Sequence, residues 1–269
     1  MRKNALFLFL LSCVALCATP LQDYSFSEQE LRKLASALGF PPDADLNAQM
    51  QKHCLRKPDQ ERWEMAELSE DKYAFVLNWA QGQGIWKERL PVQSHYNKAL
   101  ILGATTSRME KRLHCLCDAW NRGVRFDEVV WLTGRRPLDP RVDAPLPDCS
   151  DESEAARSIW AHASLPDAMR SLPVVFVEVP MQKENGIQKR PNTKDTLDAW
   201  MSQHSPKPCS ALFVSDQPFC GYQWAIIKTT LPDTIDFDVI GAGADPTSHP
   251  AAAAVTLDSV ARQIYAERQ

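Results

Sequence analysis

The segment that most limits what this chain can fold into runs from Lys98 to Gly123, KALILGATTSRMEKRLHCLCDAWNRG. Ala99-Leu100-Ile101-Leu102 is a short continuous apolar run stopped by Gly103. It is too brief for a buried helix and reads as a strand covered on both faces, as in a parallel sheet. Thr105, Thr106 and Ser107 offer N-cap hydroxyls to a following helix. Met109, Leu113, Leu116 and Trp120 then recur at helical spacing, and Gly123 is placed to end the helix. Strand, small-residue loop and helix make the opening half of a βαβ unit.

The same alternation continues downstream. Strands are expected at 128–134, 173–179, 211–215 and 236–241, and helices at 152–162, 193–201, 222–230 and about 256–266. A polar loop is expected over 181–191. Strands alternating with helices imply right-handed crossovers, hence an α/β three-layer sandwich around a mostly parallel five-strand sheet. Upstream, Ser27-Glu28-Gln29-Glu30 is a capping box, and Leu31, Leu34 and Leu38 trace one helical face up to Gly39. Residues 43–95 fit helices better than strands, for example over 70–81. The expected division is a helical N-terminal region over 22–96 and an α/β domain over 97–269.

Residues 1–18 stand apart. Arg2 and Lys3 precede an apolar run from Ala5 that is followed by Cys17-Ala18-Thr19-Pro20, the pattern of a secretory signal cleaved after Ala18. The run is short for a stable transmembrane span. An uncleaved inner-membrane anchor, or a lipoprotein lipidated at Cys13 within Leu10-Leu11-Ser12-Cys13, are the alternatives. The expected location is the periplasm or beyond it. Removal of the signal leaves six of the eight cysteines, an even number that permits disulfides in an exported protein; buried free thiols are the alternative. Cys115 and Cys117 lie two apart on a helix and should not pair with each other. No CxxC pair or His cluster gives metal-ligand spacing, so no metal residue is assigned.

In a parallel α/β sheet, ligands collect beyond the carboxyl ends of the strands. The candidate ligand-binding residues there are Gly103, Thr105, Thr106, Ser107, Arg108, Thr133, Gly134, Arg135, Asn192, Thr193, Asp195, Ser215, Asp216 and Gln217. Backbone N–H groups at helix starts together with arginines suit a phosphate or carboxylate. The plainer alternative is that the hydroxyls cap helices and the arginines are solvated. Asp216 is the residue best placed for acid–base work or for a ligand hydroxyl, its plainer role being a cap. His114 is read as packing, the eight tryptophans as core, and Glu178 is left open between the two faces of its strand. A formal charge of −4 argues against a dedicated nucleic-acid binder. GxGxxG, GxxxxGK[ST] and GxSxG loops are all missing; after the last strand, Gly241-Ala242-Gly243 runs into Pro246 where a third glycine would stand.

As an ordered set over about residues 96–243, these segments resemble the SanA/YdcF/ElyC family of bacterial Rossmann-like envelope proteins. The matching positions are Ala99-Leu100-Ile101-Leu102-Gly103 with Arg108, Trp131-Leu132-Thr133-Gly134, Asn192-Thr193-Lys194-Asp195-Thr196, and Leu212-Phe213-Val214-Ser215-Asp216. The chain departs from the family where Gln217 to Trp224 lacks its usual His and Arg, where Thr196 replaces an Asn, and where Arg135 replaces a Gly, so it reads as a divergent member. The resemblance implies a Rossmann-like fold, an envelope-associated bacterial protein linked to cell-wall or barrier maintenance, and a nucleotide-like or phosphorylated small ligand. S-adenosylmethionine is associated with one branch of the family, and the motifs here do not point to it. Two functions stay open: an enzyme or binding protein for such a ligand, or a non-catalytic factor that binds another protein on a degenerate scaffold.

Overall fold

A computed structural model of the chain describes residues 22–57, 60, 64–65, 68–184, 186–204, 206–248 and 251–268. The expected signal segment with Cys13 and Cys17, together with Trp63 and His249, lies outside the described residues. Three helices open the description: α1 (Glu28–Leu38), α2 (Leu46–Cys54) and α3 (Glu70–Gly82). Ser27 caps α1 by accepting the Glu30 N–H at 3.2 Å, and Gly39 ends it at φ +83°, a conformation that favours glycine. Asp45 caps α2 by accepting the Ala48 N–H at 3.1 Å.

The α/β part follows as β1 (His95–Leu102), α4 (Thr106–Asn121), β2 (Arg125–Gly134), α5 (Glu152–His162), α6 (Asp167–Arg170) and β3 (Val174–Val179). A small antiparallel hairpin, β4 (Gln182–Glu184) with β5 (Ile187–Lys189), occupies the stretch expected to be a loop. Its strands have three residues each, too few to show a periodicity. Then come α7 (Thr193–His204), β6 (Cys209–Asp216), α8 (Cys220–Thr230), β7 (Ile235–Ala242) and α9 (Ala252–Glu267).

The five long strands form one parallel sheet in the order β3-β2-β1-β6-β7. This is a Rossmann-like three-layer sandwich. The chain winds outward from β1 through β2 to β3, then returns to pair β6 on the other side of β1. The switch point therefore falls between β1 and β6, the place where such sheets open a crevice.

Both faces of the sheet are covered, which is why the strands read as unbroken apolar runs. Ile101, Val129 and Trp131 pack with Met109, Leu113 and Leu116 of α4 and Ala156 and Ile159 of α5. Leu100, Leu102, Val130 and Phe213 pack on the opposite face with Leu197 and Trp200 of α7 and Trp224 and Ile227 of α8. Each fully buried leucine or isoleucine here contributes about 1.5–3 kcal/mol relative to exposure.

The N-terminal helices reach this sandwich through α9. Leu31, Leu34, Met50, Val76 and Trp79 form a third cluster with Ala253, Leu257, Val260 and Ile264. The α9 helix also lies against α8, so it is buried nearly all round, and its small Ala252-Ala253-Ala254 start lets neighbouring helices approach closely. Cys54, Cys115, Cys117, Cys149, Cys209 and Cys220 are free thiols, so the described cysteines follow the buried-thiol alternative more than the disulfide one. Burial pushes the Cys115 thiol up to about 12, which keeps it protonated and unreactive at neutral pH. No helix among the described residues is long and apolar enough to cross a membrane.

Candidate functional site

A cleft of about 620 Å³ opens over the carboxyl ends of β1, β2 and β6. The loops after those strands, the starts of α4, α7 and α8, and the side chains Arg56, Trp86 and Arg262 line it. Its centre is the switch point, where two arginines of α4 converge on one carboxylate at the end of β6. Arg108 binds Asp216 through Nε at 2.9 Å and Nη2 at 2.8 Å, and stacks over the Phe219 ring with its guanidinium carbon 4.2 Å from the centroid. Arg112, four residues later and so on the same helix face, reaches the same carboxylate through Nε at 2.8 Å. Its Nη1 donates to the carbonyl oxygens of Leu102 and Gly103, at 2.6 and 2.8 Å. Arg112 thereby ties the end of β1 to the end of β6.

Burial by itself would raise the Asp216 carboxyl, but Arg108 and then Arg112 overcome that and hold it down at about 2. Asp216 is engaged by two guanidinium groups that favour its ionised form, and it fixes their positions in turn. Its carboxylate does not cap α8; only its backbone carbonyl accepts the Phe219 N–H, at 2.9 Å.

A second ionic cluster forms the floor beside β2. Arg136 binds Asp143 through Nη1 at 2.7 Å and Nη2 at 3.1 Å, and Glu152 through Nε at 3.1 Å. Glu152 also accepts the Gly134 N–H at 3.2 Å. Burial lifts the Glu152 carboxyl above the usual range, and Arg136 and the Gly134 N–H offset that in part. Gly103 is needed here because the backbone passes over this carboxylate. A Cβ at position 103 would lie 2.1 Å from Glu152 Oε1 and 2.8 Å from the Leu132 carbonyl oxygen.

The first turn of α4 is capped differently from the expectation. Thr105 makes no side-chain cap. The Thr106 N–H instead donates to Asp143 Oδ1 at 3.1 Å, and Thr106 Oγ1 accepts the Ala144 N–H at 2.7 Å. A carboxylate from the 137–150 loop therefore occupies the helix terminus that was expected to face a ligand.

Of the residues expected to bind ligand, Gly103, Thr105, Ser107, Arg108, Gly134, Asn192, Thr193, Asp216 and Gln217 line the cleft. The others do not. Thr106 is buried against the 137–150 loop. Thr133 is buried and bonded to Ser153 Oγ at 2.9 Å and the Val177 carbonyl at 3.1 Å. Arg135 turns outward to Asp151 and Glu178, at 3.3 and 3.8 Å. Asp195 caps α7 reciprocally with Asn192: its Oδ2 accepts the Asn192 N–H at 2.8 Å, and Asn192 Oδ1 accepts the Asp195 N–H at 3.2 Å. Ser215 lies in the sheet beneath the cleft, fully buried.

Other readings are also settled by position. Glu178 shares the face of Phe176, the side covered by α5, and takes Arg157 of that helix at 2.6 Å. His114 is exposed, 3.6 Å from Asp118, and so does no packing. Gly241 serves the fold: a Cβ there would meet Cys220 Sγ at 2.5 Å and the Asp216 backbone at 3.0 Å. Trp79, Trp120, Trp131, Trp160, Trp200 and Trp224 are buried core as expected, while Trp86 lines the cleft.

Sequence reasoning passed over Arg112, Glu152, Tyr222, Arg262 and Gln223, all in the cleft wall. One of these carried a usable signal. Arg112 stands one helical turn beyond Arg108. Among the described residues, no group of three or more His, Cys, Asp and Glu side chains could hold a metal ion.

In charge, the wall carries seven cationic side chains, namely Arg56, Arg108, Lys111, Arg112, Arg136, Arg190 and Arg262. Facing them are Glu152, Asp216 and Asp245 in the wall, with Asp143 and Asp258 directly bonded behind it. In the lining itself cationic side chains outnumber carboxylates seven to three, in a chain whose overall charge is −4. Compared with models of protein families, with curated proteins and with solved structures, the chain finds no match.

Proposed function

We propose that this chain binds a small anionic ligand, phosphorylated and nucleotide-like in size, in the cleft over the β1–β6 switch point. The observation that carries the reading is the local surplus of positive charge, held at a topological switch point by buried ion pairs. A lining dominated by guanidinium groups suits a phosphate group. Arg108 is the side chain through which the ligand is held. Asp216 engages its Nε and Nη2, which fixes the guanidinium plane and leaves Nη1 for a ligand oxygen.

The same reading takes the chain as an exported, envelope-associated protein of the SanA/YdcF/ElyC type, as the order of its motifs implies. Extensive internal pairing favours binding over turnover. Asp216 is committed to two arginines, and Glu152 is tied to Arg136 and the Gly134 N–H. A protein-binding factor on the same scaffold is the rival, and it gains if no small ligand binds.

The test is thermal unfolding in the presence of nucleotides and of short polyprenyl-phosphate mimics. A ligand at a hundred times its dissociation constant stabilises the native state by about 2.7 kcal/mol, which a melting curve resolves. The expected outcome is an upward shift with at least one phosphate ester that Arg108→Ala abolishes. Arg112 still pairs with Asp216 in that variant, so the fold is retained. No shift with any phosphorylated compound would end the small-anion reading in favour of the protein partner.

A further inference from the structure

Polar atoms around the cleft fall into two sets. Most are satisfied within the protein. Thr133 Oγ1 bonds Ser153 and the Val177 carbonyl, Thr196 Oγ1 donates to the Thr193 carbonyl at 3.0 Å, and the buried arginines and carboxylates bind one another. Gln223 is an exception in the wall, as is the indole N–H of Trp86, and of the two only Gln223 offers an acceptor. It is 8% exposed, lies on α8 and lines the cleft, yet its Oε1 is buried with no hydrogen-bond partner among the described residues.

Ser215 Oγ is orphaned in the same way. Alternation along β6 puts Ser215 on the face of Ala211 and Phe213, the face packed by α7 and α8, so both orphans belong to one layer. A buried amide oxygen left unpaired is costly, and native structures keep few of them without a reason. Gln223 also stands one helical turn beyond Phe219, whose ring carries Arg108. The unpaired amide and the expected phosphate ligand thus share one helix face. The carboxamide can turn about its broad terminal torsion to present its oxygen to the cleft.

We infer that Gln223 is the specificity-determining residue of this cleft, accepting a hydrogen bond from a hydroxyl or amide N–H on the organic part of a phosphorylated ligand. The inference rests on the anion-binding reading above and refines it. The ligand class is a phosphate ester with donors close to the phosphate, such as a sugar phosphate or nucleotide. A prenyl phosphate has no such donor. A site that hydrogen-bonds a ligand group discriminates strongly against analogues lacking it, because the site's own polar atom is then left unpaired.

The experiment is calorimetric titration of the full chain and of Gln223→Leu with four probes: inorganic phosphate, farnesyl phosphate, glucose 1-phosphate and adenosine monophosphate. The expected result is that glucose 1-phosphate or adenosine monophosphate binds the full chain at least tenfold more tightly than inorganic phosphate or farnesyl phosphate. In Gln223→Leu that preference falls about tenfold while the affinity for inorganic phosphate is unchanged. The melting temperature of the unliganded variant should equal or exceed that of the parent, because an unpaired amide is replaced by an apolar group of similar size.

Two results overturn the inference and leave the cleft reading intact. One is equal affinity for all the phosphate esters with no effect of Gln223→Leu. The other is a marked drop in melting temperature for the variant, which would show that the amide has a structural partner. If none of the four probes binds, the anion-binding reading itself fails, and the inference with it.

Discussion

The two ends of the same sheet carry charge in opposite ways. At the amino end, His95 and Asp127 meet at 3.0 Å, both more than half exposed, and Asn97 bridges Asp127 to Ser210. At the carboxyl end, Arg112 is 2% exposed, and Asp143, Arg136 and Glu152 are all buried. Water solvates the first set whether or not the partners meet, so the pairing has little net effect. The second set is cut off from water and is tolerable only because nearly every donor and acceptor is matched. A chain that merely needed soluble edges would carry its charges as the amino end does. The buried, paired arginines cluster at the carboxyl end, which is why the proposed site is placed there.

This contrast can be broken by substitution, and the largest effect is expected at Arg112. Arg112→Ala strips the ends of β1 and β6 of their common donor and leaves two carbonyls unpaired, so chemical denaturation should show a loss of about 3–5 kcal/mol. A loss under 1 kcal/mol would place the carboxyl end in the same class as the amino end. Next in size is Gly103→Ala, whose added methyl must displace the Glu152 carboxylate or the β2 backbone. Its cost should be about 1–3 kcal/mol by the same measurement, with weaker anion binding in parallel.

The acid limb of stability gives the third test. The folded-state value of Asp216, about 2, lies below its ordinary 3.8. Its contribution is therefore complete above about pH 4 and is lost as pH falls through 4 towards 2. Asp216→Asn should remove that part of the slope, on the order of 2 kcal/mol between neutral pH and pH 2. An unchanged pH profile would mean the carboxylate is not held as the geometry implies. The smallest effect belongs to the amino end: Asp127→Asn should change stability by less than about 1 kcal/mol, and any change should fade in high salt. A larger, salt-insensitive loss would erase the distinction between the two ends.

Local pattern was enough to read the sandwich and the place of the cleft. The run Ala99-Leu100-Ile101-Leu102 before Gly103, and its counterparts in β2, β6 and β7, are apolar because both faces of the sheet are covered, and that requirement is written residue by residue. The same pattern could not read α4's true cap. Asp143 comes from a loop 37 positions away, and no spacing within α4 announces it. Nor could it tell Arg136, bound into the floor, from Arg135, turned outward to Asp151.

What the sequence by itself determined is therefore the succession of strands and helices and the edge at which the cleft opens. Backbone period and side-chain apolarity act over a few neighbours, so they are legible along the chain. Only the tertiary structure decided which charges face the cleft, that Asp216 is committed to Arg108 and Arg112, and that Gln223 Oε1 has no partner among the described residues. Those outcomes depend on desolvation and on partners up to about a hundred residues apart, as Arg112 and Asp216 are. Burial sets the energy of such contacts, and burial exists only once the layers have closed.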